Sequence, residues 1–361
     1  MIKVILIAVS IIVIVAVVFV FTTNITSVSQ SLPENRLQKG KFLNSEIQYK
    51  IGLGKLYKII VAYIKDTRKE AVPSKTIPVN PLSQPQLAQT EGDLLYRLGH
   101  STILMRLGGE YVLTDPVFSD RASPVQWSGP KRFHPNPIAI EKLPNIRAVI
   151  ISHDHYDHLD IVAIKQLDSK VEQFIVPLNV GKRLVDWGVD QSKIVELDWS
   201  QDVNLGAIRL TATPAQHFSG RSILDSDKTL WAGWVIQTDK TRLFFSGDSG
   251  YFSGFKEIGE RYGPFDIAMV ETGAYNALWS DIHMMPAESL QAHIDLKANW
   301  MMPIHNGTFD LALHDWYTPF DEISALADQA GVKLLTPQFG EAVTLDNIQE
   351  TQRWWEALRP Q

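Results

Sequence analysis

The sequence contains no cysteine. Disulfides and thiolate metal ligands are therefore excluded, and any bound metal must be held by imidazole nitrogen and carboxylate oxygen. A cysteine-free chain is tolerated in every redox compartment and suits an oxidising one. A surplus of positive charge is also missing. The 34 Lys+Arg stand against 40 Asp+Glu, a formal net charge of −6, which makes the chain a poor general binder of nucleic acid. No internal repeat is visible. Disorder is excluded by composition, with 45% hydrophobic and 20% charged residues. The 361 residues suffice for one large domain or two ordinary ones.

Long hydrophobic runs are confined to one place. Residues 4–21 hold Ser10 as their only polar residue, and at about 1.5 Å rise per residue such a helix crosses a bilayer core. The run reads as a transmembrane helix. A cleaved signal peptide is the alternative, but its apolar core would be unusually long, and Ser27-Val28-Ser29 is a weak cleavage match. Lys3 precedes the run and Arg36, Lys39 and Lys41 follow it, so the positive-inside count does not favour export. The usual behaviour of an N-terminal anchor does. The expectation is a single-pass membrane anchor over 1–21 with the rest of the chain extracytoplasmic.

Residues 22–92 read as a connector, punctuated near its end by Pro73, Pro78, Pro81 and Pro85. Inside it Leu53, Leu56, Tyr57, Ile60, Tyr63 and Ile64 recur at helical spacing, flanked by Lys55, Lys58, Lys65, Arg68 and Lys69. This predicts a basic amphipathic helix, either docked on the following domain or lying on anionic lipid. From residue 93 onward the text is that of an ordered domain. Strands are predicted at 94–98, 102–107, 111–114, 147–151, 174–176, 207–213, 231–237, 242–246 and 266–271. Helices are predicted near 159–168, 179–187, 286–298 and 320–330, the third opened by Pro286 and Glu288. This order suggests two mixed sheets packed face to face with helices outside.

The strongest motif is His153-Asp154-His155-Tyr156-Asp157-His158, directly after an apolar strand. Imidazole nitrogen with carboxylate oxygen suits Zn²⁺ and related divalent ions. In extended chain His153 and His155 project to the same side, because the side-chain period is two. Asp157 and His158 follow where the chain turns into a helix. The motif holds three of the chain's ten histidines in six residues, which argues against a decorative surface turn. His217, Asp248 and His305 each follow a predicted strand or short apolar stretch beside Pro or Gly, where loops carry chemistry on a rigid scaffold.

With these residues in view the chain resembles the metallo-β-lactamase superfamily. More narrowly it resembles the N-acyl-phosphatidylethanolamine-hydrolysing phospholipase D family. The matching stretches are LGHSTILM, LTDPVFSDRASP, GPKRF, ISHDHYDHLD, SGDSGYF, GPFDIAMVETGAYN and PIHNGTF, spread from Leu98 to Phe309. The resemblance implies an α+β fold, an αββα sandwich over 93–361 with a bimetal site at one edge. It implies that His153, His155 and His217 bind one metal, that Asp157, His158 and His305 bind the other, and that Asp248 bridges them. Asp115 would orient a ligand from behind, and His283 would face the metals and touch substrate. His100 is left open between a buried structural residue and one supporting the site, and His134, His293 and His314 receive no role. Trp127, Phe133, Tyr275 and Trp279 suit either an apolar pocket or ordinary packing.

The function implied is that of a zinc-dependent hydrolase with two Zn²⁺, other divalent ions being left open. Its reaction would be phospholipase D-type cleavage of a membrane phospholipid such as N-acyl-phosphatidylethanolamine. The alternative is bimetal hydrolysis of a lactone, ester or amide. A non-catalytic tethered scaffold is disfavoured by the complete ligand set, nuclease activity by the acidic charge, and a cysteine-dependent lactamase by the absence of cysteine. The loop 115–133 tips the choice toward phosphodiesters, since Lys131 and Arg132 there would meet phosphate beside an apolar wall, unless they are simply part of a packed loop. The partners expected are phospholipid and membrane, with no nucleic acid; a homodimer is left open.

Overall fold

The computed structural model describes residues 37–360 except Ile51 and Ile223. The apolar run at 4–21 lies outside the described residues. Among the described residues no helix is long and apolar enough to cross a membrane.

In chain order the strands are β1 (Leu37–Gln38), β2 (Lys41–Phe42), β3 (Leu94–Gly99), β4 (Thr102–Leu107), β5 (Glu110–Thr114), β6 (Ile146–Ile150), β7 (Val171–Pro177) and β8 (Ile194–Leu197). They continue as β9 (Asp202–Leu205), β10 (Ile208–Thr213), β11 (Gly233–Gln237), β12 (Arg242–Phe245), β13 (Phe265–Glu271), β14 (Ala298–Ile304), β15 (Lys333–Leu334) and β16 (Ala342–Thr344). The helices are α1 (Leu53–Ile64), α2 (Gln84–Gln89), α3 (Ile161–Leu167), α4 (Val180–Asp186), α5 (Gly254–Tyr262), α6 (Pro286–Asp295) and α7 (Thr318–Ala330).

Two seven-stranded sheets form, in the orders β16-β3-β4-β5-β6-β7-β8 and β9-β10-β11-β12-β13-β14-β15. In each, the first three pairings are antiparallel and the last three parallel. The halves therefore share one topology that no sequence repeat announced.

Alternation of side chains along the strands builds three apolar layers. Ile103, Met105, Ile150 and Ile175 of the first sheet meet Leu210, Trp234, Phe245 and Met269 of the second in the central core. The opposite faces point outward to helices. Leu104, Val149 and Phe174 pack under α3 and α4, and Phe244, Ala268 and Met301 pack under α5, α6 and α7. The result is the αββα sandwich.

Several elements depart from the sequence expectation. The helix predicted over 286–298 ends at Asp295. Lys297 takes a left-handed conformation with φ 57°, and the chain leaves as β14. Strands β8, β9 and β16 are short and half-polar, so they carry little apolar alternation to read. Helix α5 was hidden by Gly254 and Gly259, poor helix formers. Gly259 is needed for packing: a Cβ there would lie 2.0 Å from the Asp295 carbonyl oxygen at the end of α6.

The stretch read as a connector packs onto the domain. Phe42 sits in the central core, Leu82 and Leu87 join the layer outside the first sheet, and α1 forms as the spacing predicts.

Candidate metal centre

Topology gathers the site at one edge. Strands β3, β5 and β6 run in one direction in the first sheet. Strands β10, β12, β13 and β14 run in one direction in the second. His100 follows β3, Asp115 follows β5 and His153 to His158 follow β6. His217 follows β10, Asp248 follows β12, Glu271 closes β13 and His305 follows β14. Sharp turns hold several of them: His100, Asp115 and His305 have φ of 44°, 33° and 65°, a conformation that costs non-glycine residues energy and clusters at functional sites. Gly247, with φ 58°, presses the β12 loop onto Ser152, where a Cβ would meet the Ser152 Cβ at 2.6 Å.

The predicted ligands converge as two sets. In the first, His155 Nδ1 lies 2.9 Å from His153 Nε2 and 3.3 Å from His217 Nε2. Asp248 Oδ2 is 3.7 Å and 3.8 Å from those two Nε2 atoms. In the second, Asp157 Oδ2 lies 3.6 Å from His158 Nε2 and 3.2 Å from His305 Nε2. Asp248 Oδ2 is 3.1 Å from each of these imidazoles as well. One carboxylate thus stands between both sets. Asp154 points the other way, as the two-residue period predicts, and binds Arg183 Nε, Thr229 Oγ1 and the Gly220 N–H.

Asp115 supports both sets. Its Oδ2 accepts the Nδ1–H of His158 at 2.7 Å and the Ser152 hydroxyl at 2.6 Å. With its hydrogen spent there, Ser152 Oγ can only accept from His153 Nδ1, 2.9 Å away. The Ile282 carbonyl takes the Nδ1–H of His217 at 2.9 Å. Three Nε2 lone pairs are thereby turned inward, the arrangement in which a carboxylate or carbonyl fixes the tautomer of a ligand.

Burial opposes the charge of Asp157 and Asp248, yet the surrounding imidazoles hold both carboxyls well below the ordinary range. The same carboxylates overcome burial to push His158 well above its usual value and His305 up to about 10. Burial and neighbouring imidazoles hold His153 and His217 well below it. The acidic groups thus demand positive charge where the imidazole nitrogens face. His158 Nε2 and Asp248 Oδ1 are buried with no hydrogen-bond partner among the described residues. Nitrogen and oxygen donors within 4.8 Å of one another, with lone pairs left over, fit divalent cations of the zinc and iron type.

Three further residues complete the site. His100, left open by the sequence, sets Nε2 3.1 Å from Asp157 Oδ2, and burial holds its ring neutral, down to about 3. Glu271 was missed; an acidic residue closing an apolar strand was the available signal. Its Oε2 accepts the Ser249 N–H at 2.7 Å, and its Oε1 pairs with His283 Nδ1. Burial first and Asp248 second push Glu271 well above the carboxylate range. Burial holds His283 down to about 4. Phe218, also missed, sets its ring 4.5 Å from His155. His134 and His314 stack on Phe339 and Tyr275, and His293 sits on α6; none falls in a ligand cluster among the described residues. Tyr275 binds Glu322, Trp279 binds the Ala274 carbonyl, Phe133 packs with Ile77 and Trp316, and Trp127 is exposed. Arg132 does not meet the site: it is buried, donating to the Val117 and Ser119 carbonyls.

Residues 110–306 match the beta-lactamase superfamily domain. The chain belongs to the metallo-β-lactamase superfamily. Among relatives, an uncharacterized protein of Mycobacterium tuberculosis is 39% identical over 92% of this chain and 90% of its own length. The N-acyl-phosphatidylethanolamine-hydrolyzing phospholipase D 1 of Caenorhabditis elegans is 34% identical over 77% of this chain and 82% of its own. Among solved structures, a metallo hydrolase of Ignicoccus hospitalis shares the fold at TM-score 0.53 and 20% identity, covering 70% of this chain and 97% of its own. The chain is a metal-dependent hydrolase of this superfamily, its two ligand sets drawn from both halves of the fold.

Proposed function

We propose that this protein is a zinc-dependent phospholipase D-type phosphodiesterase that cleaves membrane phospholipids such as N-acyl-phosphatidylethanolamine. The observation that carries this reading is the pair of ligand sets sharing Asp248, with His283 set between them, in a chain 34% identical to the worm phospholipase over most of its length. His153, His155 and His217 hold one cation and Asp157, His158 and His305 the other. Cations bound there would lower the pKa of water and neutralise phosphoryl charge.

The chain's own residues supply position and protons. Glu271, kept protonated in its buried place, donates to Nδ1 of the neutral His283. That leaves the imidazole hydrogen on Nε2, aimed at a phosphoryl or leaving-group oxygen. Asp157 and His283 are partly exposed, which sets the open side of the centre. Residues 4–21 anchor the chain, with the domain on the extracytoplasmic side.

Rates on N-acyl-phosphatidylethanolamine, phosphatidylethanolamine, a soluble bis-aryl phosphodiester and a panel of lactones test the reading. Phosphatidic acid released from the two phospholipids supports it. Lactone turnover that outpaces every phosphodiester, with no phosphatidic acid, replaces it with the carboxylic alternative.

A further inference from the structure

Helix α1 is mounted with its apolar side outward. Leu53 is 87% exposed, Tyr57 69% and Ile64 61%, and Leu56, Ile60 and Tyr63 are exposed beside them. These six account for six of the fourteen exposed large hydrophobic residues described, all on one twelve-residue helix. The inward side is held by other residues. Ile59 packs against the buried cluster of Ala274, Trp279, Ile282 and Ala312, as Tyr49 and Phe218 do. Lys55 Nζ reaches Asp281 Oδ2 at 3.4 Å and lies 4.3 Å over the Tyr49 ring. A helix fixed so firmly by its narrower face, with its broad apolar face turned to solvent, is not explained by packing onto the domain.

Charge narrows the occupant. Residues 50–69 contain Lys50, Lys55, Lys58, Lys65, Arg68 and Lys69 against the single acid Asp66, although the chain as a whole is acidic at −6. Lys55 and Arg68 are engaged with Asp281, Asp66 and Asp310. Lys50, Lys58, Lys65 and Lys69 are exposed on the same segment. A second copy on this face would bring like charges together. The uncharged run at 4–21 offers these lysines no partner. An anionic bilayer supplies both an apolar layer for Leu53, Leu56, Ile60 and Ile64 and a negative surface for the lysines, with Tyr57 and Tyr63 at the boundary.

We propose that the outward face of α1 lies on an anionic lipid surface and turns the open side of the metal centre toward it. The helix reaches the centre through two contacts. Phe218, whose ring lies on His155, packs against the same cluster of Ala274, Trp279, Ile282 and Ala312 as Ile59, and Asp281, paired with Lys55, stands two residues before His283. The proposal concerns where the chain meets lipid and holds whichever bond the centre cleaves.

The absence of cysteine allows a clean test in the full chain. Tyr57→Cys carries an environment-sensitive fluorophore. Lys240→Cys carries the same label in the exposed turn before β12, at the end of the sandwich away from the centre. Both are reconstituted into vesicles of phosphatidylcholine with phosphatidylglycerol, and into phosphatidylcholine alone. The expected result is a blue shift at position 57 and quenching by lipid-borne nitroxide on the anionic vesicles. The quenching weakens on the neutral ones and in a Lys58→Glu/Lys65→Glu background, and is absent at 240. A probe at 57 as wet as the one at 240 overturns the proposal, as does quenching indifferent to lipid charge. A probe shielded but not quenched from the lipid also overturns it, because a protein surface then covers the face.

Discussion

Asn44 brackets the backbone of His217, donating from Nδ2 to its carbonyl at 2.7 Å and accepting its N–H on Oδ1 at 3.0 Å. The same Oδ1 accepts Trp231 Nε1 at 3.0 Å. A residue 173 positions upstream therefore sets the height of a candidate metal ligand. Asn44→Ala leaves the buried N–H and carbonyl of His217 unpaired, Trp231 Nε1 keeping the Ala215 carbonyl, and is expected to cost about 1–3 kcal/mol. Chemical unfolding of the metal-free protein checks the stability loss. Chelator competition is expected to show the three-histidine set losing its cation first; equal loss from both sets counts against this role.

Asp115 steers His158 directly and His153 through Ser152. In Asp115→Asn the amide nitrogen faces a ring N–H, so at least one imidazole rotates or changes tautomer. Metal affinity is expected to fall about 10–100-fold, read by competition with a chromophoric chelator, while the fold holds by circular dichroism. Unchanged affinity removes Asp115 from the centre.

On the proposed reading, Asp248 holds the cations and His283 uses them. Asp248→Ala is expected to lower metal content below two ions per chain and abolish turnover. His283→Ala is expected to keep both ions and lose about 10²–10³ in rate, the magnitude of one transition-state hydrogen bond. Elemental analysis beside initial rates distinguishes the two. Wild-type activity in either variant removes that residue from the proposed machinery.

Acid should expose the pair beneath the first motif. Burial raises the cost of charging Asp154, but Arg183, His155, the Gly220 N–H and Arg221 outweigh it and hold the carboxyl below its ordinary range. A depressed folded pKa contributes stability that is complete above the unfolded value of about 3.9 and is lost as pH falls through the folded one. Urea unfolding of metal-free protein at neutral pH and near pH 3 measures that loss. Asp154→Asn is expected to be less stable at neutral pH by about 3 kcal/mol and to show a smaller acid-dependent change.

The convergence of the candidate ligands was legible because each chemistry-bearing residue stands beside a strong apolar strand with Gly or Pro near it, as in Ser-Gly-Asp248 and Pro-Ile-His305. Glu271 and His100 were not assigned because a lone acid closing an apolar strand, or a lone His after one, is a weak signal; only the ends of β3 and β13 bring them to the same edge. The misreading of Arg132 has the same origin. A basic residue in a Pro-rich loop looks available for phosphate until it is seen buried, with the loop's own carbonyls taking Nε and Nη2. The shared order of the two sheets was invisible because no residue pattern repeats between the two halves.

The edge of the first sheet is closed by β16, whose residues 342–344 pair with Leu94, Leu95 and Tyr96 of β3. During synthesis β3 leaves the ribosome almost 250 residues ahead of its partner. For that whole interval the nascent chain carries an open hydrogen-bonding edge on an otherwise buried strand, the kind of edge that recruits other chains. The late pairing of Ala342–Thr344 covers that edge, so the sheet's exposure during synthesis is set by how far apart in the chain its two edge partners lie.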